Sequence, residues 1–304
     1  MIDLQNKTVI IIAGPTAVGK TAVAIEVAKH FQTEIISADS RQCFKELNIG
    51  VAKPSEKELE EVRHHFISIY SIHDDVTAAA FEEYALEKAI ELFQKYDYVI
   101  MTGGTGLYIK AFCEGLDPIP AIDPVIREKI INSYKKNGLP WLQEEIQQKD
   151  PEFYKTGEIQ NPQRMMRALE VMESAGDSIL SFRKTEKVKR SFNIIKIGLE
   201  LPKEELHRNI NIRVDKMIKA GLLNEVKSLL PDKNLNALQT VGYGELFYYL
   251  DGKITLPVAV ELIKQNTRQY AKRQRTWFKK DKEIIWFAPG QINEIMEYAS
   301  NETY

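Results

Sequence analysis

Gly14-Pro15-Thr16-Ala17-Val18-Gly19-Lys20-Thr21 has the spacing G-x-x-x-x-G-K-[ST], a pattern suited to holding phosphate. Its glycines let backbone N–H groups turn onto phosphate oxygens, and a helix starting at Lys20 adds positive potential. The Lys20 ammonium contributes a point charge, and the Thr21 hydroxyl can ligate Mg²⁺. Such a loop identifies a phosphate, not a reaction. Hydrolases of nucleoside triphosphates usually place an acid at the end of a second apolar strand. Here Tyr98-Val99-Ile100-Met101 runs instead into Thr102-Gly103-Gly104-Thr105-Gly106-Leu107-Tyr108, which holds none. Two polar side chains at strand ends stand out. Asp39, after Glu34-Ile35-Ile36, could serve as a general base, an Mg²⁺ ligand or a polar turn residue. Thr105 could orient a substrate through its hydroxyl, within what otherwise reads as a Gly-rich turn.

Three basic segments suggest a second ligand. Helical spacing in Asn161-Pro162-Gln163-Arg164-Met165-Met166-Arg167-Ala168-Leu169 puts Arg164 and Arg167 on one side, with Met165, Leu169 and Met172 on another. Arg183, Lys184, Lys187, Lys189 and Arg190 follow as a basic run. Arg268, Lys272, Arg275 and Lys279 then form a stripe at helical steps, while Ile263, Asn266, Tyr270 and Trp277 follow another side. No acid interrupts the chain from Arg268 to Lys280. Basic residues interleaved with aromatics and glutamines suit an RNA backbone with stacked bases.

These residues sit in a chain of 304 amino acids, room for one large domain or two. A hydrophobic fraction of 44% and a charged fraction of 28% exclude a disordered, collagenous or simple coiled-coil protein. With 41 basic and 43 acidic residues the net charge is −2, so RNA affinity has to be local. The cysteines, Cys43 and Cys113, are too few for a disulfide framework or a metal knuckle, and fit a reducing cytoplasm. The first residues lack a signal peptide's basic start and cleavage site, and no apolar run approaches the ~18 residues of a membrane span. No membrane partner is expected.

The elements follow from periodicity. Strands are predicted at 8–13, 34–36, 66–69 and 98–101. Helices are predicted from Lys20 to about Phe31, and from the N-cap Thr77 through Phe81, Ala85, Ala89 and Phe93. Their alternation argues for a parallel α/β sheet. After Gly115 the segment Leu116-Asp117-Pro118-Ile119-Pro120 reads as a linker, and helices are predicted near 124–137, 140–149 and 162–175. A strand returns at 192–199, helices continue to about Lys280, and a last strand is expected at 284–287. The predicted fold is a P-loop NTPase-like parallel sheet core, residues 1–116 and 191–304, with an all-helical insertion at 117–190.

In order along the chain, Gly14–Thr21, Ser37-Ala38-Asp39-Ser40-Arg41-Gln42, Ala52-Lys53-Pro54, Gly103-Gly104-Thr105-Gly106-Leu107-Tyr108, Asn161-Pro162-Gln163-Arg164 through Arg167, Val241-Gly242-Tyr243 and Arg268-Gln269-Tyr270-Ala271-Lys272-Arg273-Gln274 with Thr276-Trp277 resemble the tRNA dimethylallyltransferase (tRNA isopentenyltransferase) family. The phosphate loop is shared by many families, whereas the ordered set is not. The resemblance implies transfer of a dimethylallyl group from its diphosphate, with Mg²⁺, to N6 of the adenosine 3′ of the anticodon in tRNAs reading codons that begin with U. It implies that the phosphate loop holds a diphosphate leaving group, and that Arg213, in Ile212-Arg213-Val214-Asp215-Lys216-Met217, is the family's diphosphate arginine. Asp39 would take the proton of the amine and Thr105 would hydrogen-bond the same base. Asp39, Ser40, Arg41, Gln42 and Gln163 through Arg167, including Met165 and Met166, would contact RNA around that base. Arg127 would touch the RNA from the insertion, and Lys272, Arg273, Gln274, Arg275, Thr276 and Trp277 would support the anticodon stem.

The sequence departs from the family at Cys43-Phe44, where Val-Tyr is usual, and at Gly50-Val51, where Gly-Thr is usual. Neither place carries the hydroxyl that the family usually has there. The zinc finger of some eukaryotic homologues has no counterpart spacing, so no structural metal is expected. A monomer suffices for a tRNA-sized ligand. The competing readings are an adenylate isopentenyltransferase acting on free nucleotide, a P-loop small-molecule kinase, and a non-catalytic RNA-binding switch.

Overall fold

The computed structural model describes residues 4–183 and 186–302. Its strands are β1 (Thr8–Ala13), β2 (Ile35–Ser37), β3 (His64–His65), β4 (Tyr98–Gly103), β5 (Asn193–Leu199) and β6 (Ile285–Phe287). Its helices are α1 (Lys20–His30), α2 (Glu56–Glu61), α3 (Ala78–Phe93), α4 (Gly106–Glu114), α5 (Pro124–Lys149), α6 (Pro151–Thr156), α7 (Pro162–Ala175), α8 (Lys203–Lys219), α9 (Leu222–Ser228), α10 (Tyr243–Leu250), α11 (Leu256–Phe278) and α12 (Ile292–Asn301). The chain divides into two compact units, Met1–Glu114 with Lys189–Tyr304, and Gly115–Val188.

In the first unit every residue of β1 is buried. Val9, Ile11 and Ala13 join one apolar cluster and Ile10 and Ile12 another, so each sheet face supports a core. The sheet order is β3-β2-β4-β1-β5-β6, with every pairing parallel. In register, Ala13 lies opposite Gly103 and Ser37 opposite Thr102. The turns leaving β1, β2 and β4 therefore emerge at one rim, the end of a parallel sheet where ligand sites form. The parallel sheet with its flanking helices matches the expected core.

The second unit packs α5, α6 and α7 around Ile130, Leu142, Ile146, Phe153, Met165, Ala168 and Leu169. Gly138 breaks α5 with φ 74° and ψ −166°, which gives the two helical stretches expected at 124–137 and 140–149. Asp123, Asp150 and Asn161 cap the three helix starts with side-chain acceptors. Among the described residues no helix is long and apolar enough to cross a membrane.

Some local expectations fail. Instead of a strand at 66–69, the edge strand is the two-residue β3, and Phe66 and Ser68 adopt positive φ of 62° and 53°. The Phe66 ring packs edge-on against Phe81 with centroids 5.0 Å apart, while the Ser68 and Ile69 amides bond Gln42 O and Cys43 O. Tertiary packing thus outweighs the β propensity of Phe66-Ile67-Ser68-Ile69. The turn expected at Gly103-Gly104-Thr105-Gly106 opens directly into α4. The α2 start carries a capping box, Ser55 with Glu58, that the S-x-x-E spacing encodes.

Candidate active site

The phosphate loop is shaped by close approach. A Cβ at Gly14 would lie 2.7 Å from Leu199 O, and Gly14 and Gly19 hold φ of 152° and 103°. Lys20 Nζ donates to Pro15 O at 2.8 Å, and Arg213 Nη1, from α8, donates to Thr16 Oγ1 at 3.2 Å. Lys20, Thr21, Arg213, Asp39 and Tyr270 line one cavity of about 360 Å³. Burial pushes the Lys20 ammonium down to about 7, the Arg213 charge adds to this, and Asp39 opposes it. Burial likewise lowers Arg213, against Asp39 and Glu58. Two cations confined together make the cavity a receptor for an anion.

Asp39 stands just beyond β2. Its Oδ1 accepts from Arg41 N at 2.9 Å and Gln42 N at 3.3 Å, so one oxygen closes an Asx turn. The turn after β4 locks onto this one. A Cβ on Gly103 would fall 2.1 Å from Ala38 O, Thr105 N donates to Ala38 O at 3.2 Å, and Ser40 N donates to Thr105 Oγ1 at 3.0 Å. Thr105 lines a second cavity of about 400 Å³ together with Ser40, Arg41, Phe44 and Tyr108. The structure therefore joins Asp39 to the cations and Thr105 to the neighbouring RNA candidates Ser40 and Arg41.

Several of the expected RNA contacts also hold parts of the fold together. Gln42 accepts from Ser37 Oγ at 3.2 Å and donates to Ala52 O at 3.0 Å, holding the Ala52-Lys53-Pro54 wall of the first cavity. Gln274 is buried, and its amide accepts from Thr16 N at 2.8 Å and donates to Gly104 O at 2.9 Å. Met165 is fully buried, so its side chain belongs to the second unit's core. Arg190 donates to Phe112 O at 2.7 Å and Ala111 O at 2.8 Å and pairs with Glu82 at 2.7 Å, which removes it from the basic run. Lys184 of that run lies outside the described residues. The C-terminal stripe is partly neutralised. Arg275 and Lys279 reach Glu200 at 3.5 and 3.0 Å, and Arg268 donates to Asn211 at 2.7 Å.

Lys272, Arg273, Thr276 and Trp277 are exposed along α11. On the second unit Gln163 is exposed and Met166 half-buried; Arg164 pairs with Glu158, while Arg167 and Arg127 approach Glu170 at 3.3 and 3.7 Å. Cys43 and Phe44 are buried and Val51 lines the first cavity, so the two departures leave apolar or thiol groups at those places.

The sequence reading missed Glu58 and His64, both on the first cavity. His64 Nδ1 bonds Val62 O at 2.8 Å, while its Nε2 is buried without a partner. Burial lowers its pKa. It missed Glu225 too, whose carboxylate accepts from Ile49 N at 2.7 Å, Gly50 N at 3.0 Å and Tyr243 Oη at 2.6 Å. That network ties Val241-Gly242-Tyr243 to the Ile49-Gly50 turn that leads into Ala52-Lys53-Pro54.

A family model described as IPP transferase matches residues 42–281, more than half of the chain. The tRNA dimethylallyltransferase of Christiangramia forsetii is 51% identical over 276 residues, covering 91% of each chain. The chain belongs to the tRNA dimethylallyltransferase family. The Flavobacterium johnsoniae tRNA dimethylallyltransferase is 48% identical over 299 residues, 96% of this chain and 97% of that one. The structure of the full-length tRNA isopentenylpyrophosphate transferase of Bacillus halodurans matches with TM-score 0.72 and 31% identity, over 98% of this chain and 97% of that one. As a member of the tRNA dimethylallyltransferase family, the chain is a prenyl-transferring enzyme.

Proposed function

We propose that this chain transfers a dimethylallyl group from dimethylallyl diphosphate to N6 of the adenosine 3′-adjacent to the anticodon, in tRNAs reading codons that begin with U. The observation that carries this reading is the cavity in which Lys20 and Arg213 share space with Asp39. As the allylic C–O bond breaks, its electron pair leaves with the diphosphate, where the loop amides, Lys20 and Arg213 stabilise the growing charge. The N6 lone pair forms the new C–N bond and its proton passes to Asp39. Thr105 and Ser40 flank the approach of the base, which leaves its stack to enter.

The donors fit Mg²⁺. A Thr21 hydroxyl beside diphosphate oxygens and water is the mixed set this ion favours. Bound there, Mg²⁺ supplies neutralising charge to the leaving group. RNA recognition is assigned to Ser40, Arg41, Lys272, Arg273, Arg275, Thr276 and Trp277 on the first unit. Residues 117–190 are assigned as the insertion that contacts the anticodon stem-loop, through Arg127, Gln163, Arg164, Met166 and Arg167.

The test is mass spectrometry of nucleosides from unmodified tRNA incubated with protein, Mg²⁺ and dimethylallyl diphosphate, with AMP and ATP as parallel acceptors. A dimethylallyl mass gain on adenosine in tRNA alone is the expected result. Gain only on AMP or ATP would reassign the acceptor, and ATP turnover without transfer would return the loop to a kinase or switch.

A further inference from the structure

The α11 helix carries the basic residues assigned to RNA, yet one side of it packs against the phosphate loop and the turn that carries Thr105. Tyr270, Gln274 and Trp277 stand at i, i+4 and i+7, on one side of the helix. Tyr270 lines the cavity of Lys20 and Asp39. Gln274 Oε1 accepts the Thr16 amide of the phosphate loop, and Gln274 Nε2 donates to Gly104 O in the turn that carries Thr105. The fit at this turn is close on both sides of Thr105. A Cβ on Gly104 would lie 2.2 Å from Gln274 Nε2, and one on Gly106 would lie 2.2 Å from Trp277 Cδ1. One buried amide thus ties the loop that would hold the leaving group to the turn that would receive the adenine.

We propose that Gln274 is a positioning residue, setting the spacing and angle between the diphosphate cradle and the base-orienting turn. The inference rests on the transferase reading above. Gln274 lines the same cavity as Lys20 and Asp39. Its hydrogen bonds run only to protein backbone, so it acts by alignment, and a misplacement of about 1 Å between reacting groups costs on the order of 10²-fold in rate. The loop amides other than Thr16 N, with Lys20 and Arg213, remain to hold the diphosphate when Gln274 is replaced. The loss should therefore fall on kcat and not on KM. The side chain is uncharged and bonds at both ends, so Gln274→Met removes both bonds. Gln274→Glu keeps an acceptor for Thr16 N but, when ionised, sets an oxygen against Gly104 O. Protonation of that carboxyl restores a donor toward Gly104 O.

The experiment compares wild type, Gln274→Met and Gln274→Glu in steady-state and single-turnover transfer to tRNA between about pH 5.5 and 8, with tRNA affinity measured separately. Amide exchange at Thr16 provides a readout independent of activity. Lys20, Arg213, Asp39, Lys53, Glu58, His64 and Tyr270 line the same cavity in all three proteins, so each variant's rate is taken relative to wild type at the same pH. Gln274→Met is expected to lower kcat about 10- to 100-fold, leave KM for dimethylallyl diphosphate and tRNA affinity within about threefold, and speed exchange at Thr16. Gln274→Glu is expected to recover toward wild type as the pH falls, whereas Gln274→Met is not. Unchanged kcat, or a loss carried by KM or tRNA affinity, would overturn the proposal, as would the absence of recovery in Gln274→Glu. If Gln274→Met fails to fold, the pH response of Gln274→Glu decides. A wild type that does not transfer would overturn the transferase reading itself, a result distinct from any difference between variants.

Discussion

Asp39 has two duties that can be separated. Its Oδ1 organises the turn by accepting the Arg41 and Gln42 amides, while the carboxylate lines the cavity beside Lys20 and Arg213. Asp39→Asn keeps an acceptor for the turn and removes the base. Single-turnover transfer should fall about 10²- to 10⁴-fold with tRNA affinity within about threefold. Equal transfer by the variant would remove Asp39 from proton transfer. Arg213→Gln is expected to lower kcat/KM for dimethylallyl diphosphate about 10- to 150-fold, the range for hydrogen bonds to a charged group, and to leave tRNA affinity unchanged. Steady-state kinetics with each substrate varied would check it, and a change confined to tRNA affinity would contradict the assignment. At this scale the sequence made the phosphate loop and Asp39 legible, because each depends on residue type at a fixed place after a strand. Arg213 came into view by resemblance alone. Glu58, His64 and the true partners of Gln274 did not, because they reach the site from elements whose packing no local pattern encodes.

The elements separate in the same way. The long alternating strands and the α3 face of Phe81, Ala85, Ala89 and Phe93 are legible because burial repeats with a fixed period. The 66–69 segment is not, because the Phe66 ring seeks the aromatic cluster of Phe81, Tyr84 and Tyr108 and so turns the backbone out of the sheet. The α11 stripe was legible as basic, but its acid neighbour Glu200 comes from the end of β5 and is invisible along the helix. Arg275 must exchange Glu200 for a phosphate to act on RNA. Arg275→Ala should weaken tRNA binding and lower the slope of log affinity against log salt by about 0.7 to 0.9, and salt titration of binding measures it. An unchanged slope would rule out a phosphate contact at Arg275. The support that α9 and α10 give the Ile49-Gly50 turn is open to a separate test. Tyr243→Phe deprives Glu225 of a buried donor and should destabilise the fold by about 1–3 kcal/mol in urea unfolding, while equal stability would show the Glu225 network to be dispensable.

For the whole molecule the question is what the Gly115–Val188 unit adds to a first unit that already owns the six-strand sheet and both of its cores. The chain leaves the first unit after α4 and returns at Lys189, and the two ends are held together. Arg190 donates to the carbonyls of Ala111 and Phe112, and Phe192 packs on Phe112 with ring centroids 5.7 Å apart. An insertion with adjoining ends can be replaced without opening the fold that carries it. The second unit in turn has its own apolar cluster and three capped helices. Joining Glu114 to Lys189 through a short Gly-Ser linker should therefore leave a cooperatively unfolding protein. Its affinity for inorganic diphosphate with Mg²⁺ should stay within about threefold of wild type, because Lys20, Thr21 and Arg213 all remain. Transfer to tRNA should be lost together with most tRNA affinity, because Arg127, Arg164 and Arg167 depart with the insertion and each phosphate contact removed weakens binding further. Calorimetry with diphosphate and a tRNA binding titration separate the outcomes. Retained tRNA affinity would move RNA recognition wholly onto α11 and the Ser40–Arg41 turn, and lost diphosphate affinity would make the insertion part of the catalytic unit.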